Sequence, residues 1–598
     1  MENDKQGGWN KFTGSGFDRK GALRRLKKAE LAGTRHARRF LVDRLENAKL
    51  VRREVSIWAV LIGLMIAGMG LQFGVSQRGY MLQGPRAGGT YAEATLGPVS
   101  NLNPLFASSS AEVSLGRLVF SSLYSYDATG SLRQDIAAKM VTNDKGNQYT
   151  VTIRKDVKWH DGKALTAKDV VFTLNLIKNP ATRATELRKN WLDVAVRTID
   201  DYTVEFNLPG ASAAFPHSLT FPVMPAHILS SINAGAVRES TFSLSPVGSG
   251  PFTFKLLQRA DALMNHEVVH LVSNKDYYAG KPRLDQFELY AYKTQEDIRA
   301  ALQGNEVNGA VDINNVTEEE LGESYLVNPA PIDSGVYALL NNKHPILSDQ
   351  KVRKALQIGT DTQKVRVAAG GKVKPLSLPF VDGQVAASMP KLPAYNAADA
   401  AVMLDDAGWK IVGTERQKEG VPLKLTITTT KESQQIKAAE ELKKQWMALG
   451  VNVTVTSMDA TSVSTGFVQN VLQSRGFDVL VYELSIGADP DVYAYWHSSQ
   501  ATPSGYNFAN YSNKNSDAAL ASARSRSEED LRGAKYASFA KQWVDDAPAI
   551  ALYQSVVEYV RNKNNIAIGD SAKLVQPVDR YSNVIYWSVE STPVYKTP

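Results

Sequence analysis

The sequence predicts an α/β protein with a mixed sheet, preceded by one transmembrane helix. Three observations carry this. Leu423-Lys-Leu-Thr-Ile-Thr428 and Val451-Asn-Val-Thr-Val455 read as strands on either side of a helix over 438–449, and such a βαβ unit needs a sheet with parallel neighbours. Tyr149-Thr-Val-Thr-Ile-Arg154 and Tyr202-Thr-Val-Glu-Phe-Asn-Leu208 alternate apolar and polar residues with the period of a half-buried strand. Residues 55–77 carry no formal charge over 23 positions, and at about 1.5 Å per residue they reach across a hydrocarbon core of about 30 Å.

Taken from the N-terminus, the first element is a basic tail. Residues 1–54 hold 15 Lys+Arg against 7 Asp+Glu, while the rest of the chain holds 53 against 54. The net charge of +7 therefore sits in the tail, and the body has no basic surface of the kind that phosphate binding requires, which argues against a nucleic-acid partner. Apolar residues Leu23, Leu26, Ala37, Leu41, Leu45 and Ala48 recur at helical spacing among the tail's Arg and Lys residues. Two readings stay open for that pattern: a basic helix lying on anionic lipid, or a solvated tail that only fixes topology.

The apolar stretch follows, with Arg52, Arg53 and Trp58 at its start as interfacial anchors. The flanking positive charge is expected to keep the N-terminus cytoplasmic at the plasma membrane and to place the 520 residues after Arg78 outside. A cleaved signal peptide fits poorly, because its basic region would be 54 residues long and no Ala-x-Ala site follows. The chain has no cysteine, which excludes lipoprotein processing, disulfides, thiol catalysis and Cys-based metal centres.

In the body, Thr166-Ala-Lys-Asp169 is a capping box that opens a helix through Val170, Val171, Leu174 and Ile177. Ser348 is expected to cap a helix beginning at Asp349. A helix over 397–407 ends at Gly408 and the one over 438–449 at Gly450, both suited to the left-handed conformation that closes helices. His266-Glu-Val-Val-His270 spells the H-E-x-x-H of zinc proteases, which needs a helix. On a strand, at about 3.3 Å per residue, the two imidazoles stand about 13 Å apart and cannot share one ion. Ser348-Asp-Gln-Lys351 spells S-x-x-K, but no Lys-Thr-Gly follows. The eight histidines are scattered, and neither metal nor cofactor is expected. No G-x-x-x-x-G-K-[ST] is present, so any ATP hydrolysis must come from another chain.

Several segments, in order, resemble the extracellular solute-binding proteins of family 5, the oligopeptide, dipeptide and nickel-binding type that serves ABC importers. They are Asn101-Leu-Asn-Pro104; Val157-Lys-Trp-His-Asp-Gly-Lys-Ala-Leu-Thr-Ala-Lys-Asp-Val-Val-Phe172, with Ala164 where the family carries Pro; Pro246-Val-Gly-Ser-Gly-Pro-Phe252; Asn274-Lys-Asp-Tyr-Tyr278 with Lys281-Pro282; Asp349-Gln-Lys-Val-Arg-Lys-Ala-Leu356; and Ala488-Asp-Pro-Asp491 with Asn507–Tyr511. The resemblance implies a two-lobed fold of the type II periplasmic-binding-protein kind, with a small subdomain inserted in the first lobe. The expected division is 1–54 basic cytoplasmic tail, 55–77 transmembrane helix, 78–86 linker, 87–330 lobe 1 with its insert, 331–549 lobe 2 and 550–598 return to lobe 1.

The resemblance further implies that the chain is not an enzyme. It implies capture of oligopeptides or similar solutes between the lobes by hinge closure, and separate ABC permease and ATPase subunits as partners. The alternatives are a ligand-sensing or scaffold ectodomain without transport, and an HExxH zinc protease. Peptide-binding members hold the ligand's amine with an Asp in the late region. Matched from Phe477-Asp478, that position falls near Ile486–Gly487 here, so this sequence departs from the pattern. Asp489 is the expected charged cleft residue, with Glu483 next. Tyr482, Trp496, Tyr506 and Asn507 are expected to supply aromatic walls and polar tips.

Overall fold

The computed structural model describes residues 52–260, 265–370, 372–460, 466–564 and 573–595. The expectations for the tail before Arg52 lie outside them. The chain divides into two units, residues 1–83 with 593–598, and Gly84–Thr592. In the first, helix α1 (Arg52–Tyr80) is continuous. Its stretch Arg52–Val75 is long and apolar enough to cross a membrane, and none of it is buried in protein.

The second unit is built on a ten-stranded sheet. Its first lobe contains β1 (Thr90–Leu96) and helix α2 (Ser110–Val119), which opens with a capping box between Ser109 and Glu112. The inserted part follows: β2 (Ala137–Thr142), β3 (Gln148–Ile153), α3 (Ala167–Lys178), β4 (Ala195–Asp200) and β5 (Thr203–Asn207). These four strands form a separate antiparallel sheet in the order β2-β3-β5-β4. The Thr166 capping box forms as expected, with Thr166 N–H donating to Asp169 Oδ2 at 2.8 Å. The chain then returns to the main sheet through β6 (Phe252–Gln258), β7 (Glu267–Ser273), β8 (Gln286–Tyr292) and the short β9 (Gly309–Ala310).

The H-E-x-x-H stretch is thus strand β7 and the residue before it. His270 Nδ1 lies 3.0 Å from Glu288 Oε1, and the His266 ring packs 4.6 Å from that of Tyr292. The two histidines have separate partners, and no helix brings them to one face.

Two long strands link the lobes: β10 (Tyr325–Leu340), and β14 (Ala549–Asn562), which pairs antiparallel with it. Between them in sequence lie α4 (Gln350–Ile358), α5 (Ala397–Asp406), β11 (Lys424–Thr430), α6 (Ser433–Ala448), β12 (Asn452–Met458), β13 (Val479–Ser485), α7 (Lys514–Arg524) and α8 (Glu529–Asp546). The strand order is β12-β11-β13-β10-β14-β9-β1-β8-β7-β6. Strands β11 and β12 are parallel, with Lys424 opposite Asn452, so the predicted βαβ unit is present. Gly450, at φ +84°, closes α6.

Two local expectations are corrected. The cap of α4 is Asp349, whose Oδ1 accepts the Lys351 N–H at 2.8 Å, while Ser348 Oγ donates back to Pro345 O. Ser and Asp cap about equally well, and here the Ser348 hydroxyl is spent on Pro345 while the Asp349 carboxylate meets the first turn. Helix α6 begins at Ser433 rather than at 438, because its first turn is polar and hides the apolar period that marks the rest.

The alternation of β10 explains why lobe 2 has three layers. Val336, Ala338 and Leu340 enter one core with Leu356, Leu404 and Trp446 from α4, α5 and α6. Tyr337 and Leu339 enter the opposite core with Leu520, Phe539 and Trp543 from α7 and α8. A strand covered by helices on both faces must be apolar at every position, and this half of β10 is. The strand's other half, beside an irregularity between Pro331 and Gly335, carries Ala330 and Ile332 into a separate small cluster with Leu574 of the returning segment.

Candidate functional site

A cavity of about 580 Å³ opens between the lobes, lined from three separated parts of the chain. Lobe 1 supplies Arg117 and Phe120 at the end of α2, Tyr126, Trp191 and His217. Lobe 2 supplies the turn after β13, Ile486 to Asp489, and Asp491. The returning segment supplies Gln576, Val578 and Asp579. A second cavity of about 300 Å³ adjoins it and shares Arg117, Phe120 and Ser125.

The family-like motifs act here as scaffold. His160 N–H donates to Gly248 O at 2.8 Å, His160 Nδ1 accepts the Gly248 N–H at 3.3 Å, and His160 Nε2 lies 3.0 Å from Gly250 O. The Lys158-to-Lys163 turn therefore holds the Pro246–Phe252 loop. That loop in turn presses on the end of α2: a Cβ at Gly248 would stand 1.9 Å from Val119 O, and one at Gly250 2.6 Å from Val119 C. Only glycine permits this approach. Two motifs far apart in sequence thus fix the helix end that brings Arg117 to the cavity wall.

Asp489 lines the cavity, but its charge is already matched. Arg532 of α8 grips both oxygens, with Nη1 to Oδ2 at 2.6 Å and Nη2 to Oδ1 at 2.5 Å. His217 of lobe 1 approaches to 3.9 Å, and its Nδ1 lies 3.0 Å from the Tyr126 hydroxyl. Burial pulls the His217 pKa below its ordinary value, against the opposing pull of Asp489. Asp491 is held likewise, by Arg524 Nε at 2.7 Å. The lobes also meet through Lys189 Nζ and the Tyr506 hydroxyl, 3.0 Å apart, and through Ala213 N–H and Arg524 O at 3.0 Å.

The other residues expected at the site are spread out. Tyr506 joins the lobes but does not line the cavity. Tyr482 and Glu483 lie on β13: Tyr482 packs between Phe467 and Phe508, and burial raises the Glu483 pKa, opposed by hydrogen bonding from Ser555. Trp496 is 1% exposed and packs against Tyr337 and Trp543, so it is a core residue. Asn507 is fully buried, and its side chain is consumed by His497 O, Tyr511 O and the Tyr511 N–H. The expected wall and tip roles of Trp496 and Asn507 are corrected on this ground. Sequence reasoning missed Arg117, Tyr126, His217 and Asp579. Arg117 left one sign, a cation inside the apolar run Leu115-Gly-Arg-Leu-Val119.

Comparison with known proteins agrees with this geometry. Residues 131–506 match the family described as bacterial extracellular solute-binding proteins, family 5 middle. The oligopeptide-binding protein AppA of Bacillus subtilis is 28% identical over 494 residues, 78% of this chain and 87% of that protein. The AppA structure, in complex with a nonapeptide, superposes with a TM-score of 0.70 at 24% identity, over 84% of this chain and 99% of AppA. The ABC transporter substrate-binding protein CtaP of Listeria monocytogenes superposes with a TM-score of 0.72 at 25% identity, over 84% of this chain and all of CtaP. The two lobes, the insert, the interlobe cavity and the matched span have one conclusion: the chain belongs to the extracellular solute-binding proteins of family 5.

Proposed function

We propose that the protein captures peptides outside the cell and delivers them to an ABC importer, while α1 tethers it to the plasma membrane. The observation that carries this is the cavity enclosed by both lobes and by the returning segment, since a ligand there touches each part that must move on closure. The relatives' names supply the ligand class. Closure excludes water, which strengthens each hydrogen bond to a peptide backbone, and a ligand favours the closed form only by binding it better than the open one. The proposed lobes are 87–330 with the return after β14 begins, and 331–549, with bending at the two crossings of β10 and β14. Asp489 acts as a cleft residue through its pair with Arg532. The importer's permease and ATPase are separate subunits, and the work is capture without turnover.

The test is mass spectrometry of what co-purifies with the full chain in detergent, followed by calorimetry with the peptides found. Bound peptides, and small-angle scattering that contracts on adding them, are expected. A cleft that holds another class of solute and ignores peptides would overturn the reading.

A further inference from the structure

We propose that the Arg117 guanidinium receives a carboxylate of the captured solute, so that the cleft selects ligands with a free anionic end; this rests on the reading of the cleft as a peptide trap. Most charges around the cavity are already answered. Asp489 and Asp491 are each closed by an arginine of lobe 2. In the adjoining cavity, Arg154 is bound to Asp156, and Arg133 donates to Ser125 Oγ and to Ser582 O. Asp135 accepts from the Ser122 N–H and from the Tyr278 hydroxyl. Arg117 lines both cavities and makes no hydrogen bond or ion pair with any described residue.

An ammonium group entering the cleft from lobe 2 therefore meets carboxylates that are already engaged. A carboxylate meets five N–H donors of one guanidinium with no acceptor. The anion that faces Arg117 is Asp579. Its Oδ2 accepts the Gln576 N–H at 2.9 Å, and burial pushes its pKa up against the pull of Arg117. The two groups feel each other but do not touch, which leaves the planar fork of Arg117 open to a bidentate acceptor.

A purely local role does not account for this cation. Arg117 lies in the last turn of α2, where a positive charge gains about 0.3–1 kcal/mol from the helix dipole. That explains the sign of the charge. It does not explain why the side chain points into the junction of two cavities, on a helix end held in place by Gly248 and Gly250. When the lobes close, a guanidinium shielded from water costs free energy unless an anion joins it. The ligand supplies that anion.

The experiment offers the full chain in detergent an equimolar pool of random tetrapeptides, half as free acids and half as C-terminal amides, and weighs the retained peptides by mass spectrometry. The wild type is expected to retain acids over amides at least tenfold. Arg117→Gln abolishes that preference while still retaining amides, which also reports a folded cleft. Arg117→Lys, a point charge without the fork, restores part of it. Equal retention of acids and amides by the wild type, or an unchanged preference in Arg117→Gln, overturns the role of Arg117 and leaves the peptide reading standing. Retention of neither form overturns the peptide reading and the inference together.

Discussion

His160 shows how one side chain turns a sequence motif into geometry. Both ring nitrogens are used: Nδ1 accepts the Gly248 N–H, so Nε2 carries the proton and donates to Gly250 O. This arrangement requires the neutral ring, and burial holds the pKa down to about 4, against the smaller opposing effect of the Gly250 carbonyl. The unfolded chain takes up a proton near 6.5, the folded one only near 4. Unfolding therefore binds a proton between these values, and stability is complete above 6.5 and falls as pH drops through that window. The slope from this group reaches at most about 1.4 kcal/mol per pH unit. Urea unfolding of the wild type and of His160→Gln between pH 7 and 4.5 checks it. The variant is expected to be less stable at pH 7 and to lose stability less steeply below 6.5. Parallel slopes would show that His160 does not titrate as described.

At the scale of elements, the end of α2 is the part whose position matters most. It is set by backbone contact with the Pro246–Phe252 loop rather than by side-chain packing. Gly250→Ala places a methyl group 2.6 Å from Val119 C and 2.8 Å from Leu118 O, so the helix end must retreat. The expected cost is about 1–3 kcal/mol in denaturant unfolding. Peptide affinity should fall as well, because Arg117 moves with its helix. A variant with wild-type stability and affinity would mean that the loop does not fix this wall. The same element shows what was legible in the sequence. The βαβ unit and the Thr166 box each follow from short-range periodicity or capping, which a local reading detects. The loop-to-helix contact joins residues more than 120 positions apart and carries no local signature. Asp489 was singled out because it stands beside a family motif. Its neutraliser Arg532 was not, since nothing in Glu529–Asp546 separates that arginine from a solvated one. Trp496 and Asn507 misled for the opposite reason: aromatic and amide side chains near a cleft motif also suit a core and a buried turn, and burial is a property of the fold.

At the scale of the whole molecule, the decisive feature is the separation of charge and apolarity along the chain. The tail is basic, α1 is apolar and exposed along Arg52–Val75, and the body is nearly neutral. An apolar helix left in water would cost about 25 cal/mol for each Å² of apolar surface, so this one needs a lipid or protein cover. A bilayer suits its length, and the basic flank favours a cytoplasmic N-terminus. The absence of cysteine makes the arrangement directly measurable, because any thiol introduced is the sole one. Lys145→Cys, at an exposed turn of the insert between β2 and β3, is expected to react in intact cells with a membrane-impermeant maleimide. Lys11→Cys in the tail should react only after the membrane is breached. The reverse pattern would place the cleft on the cytoplasmic side, where an importer has no solute to receive from it. Reaction at Lys145→Cys on protein released into the medium, with the tail missing, would show that α1 is removed and that the trap diffuses freely. The tethered form predicts instead that the labelled body sediments with membranes and is freed by detergent but not by salt, because burial of α1 in lipid is an apolar interaction that ionic screening does not weaken.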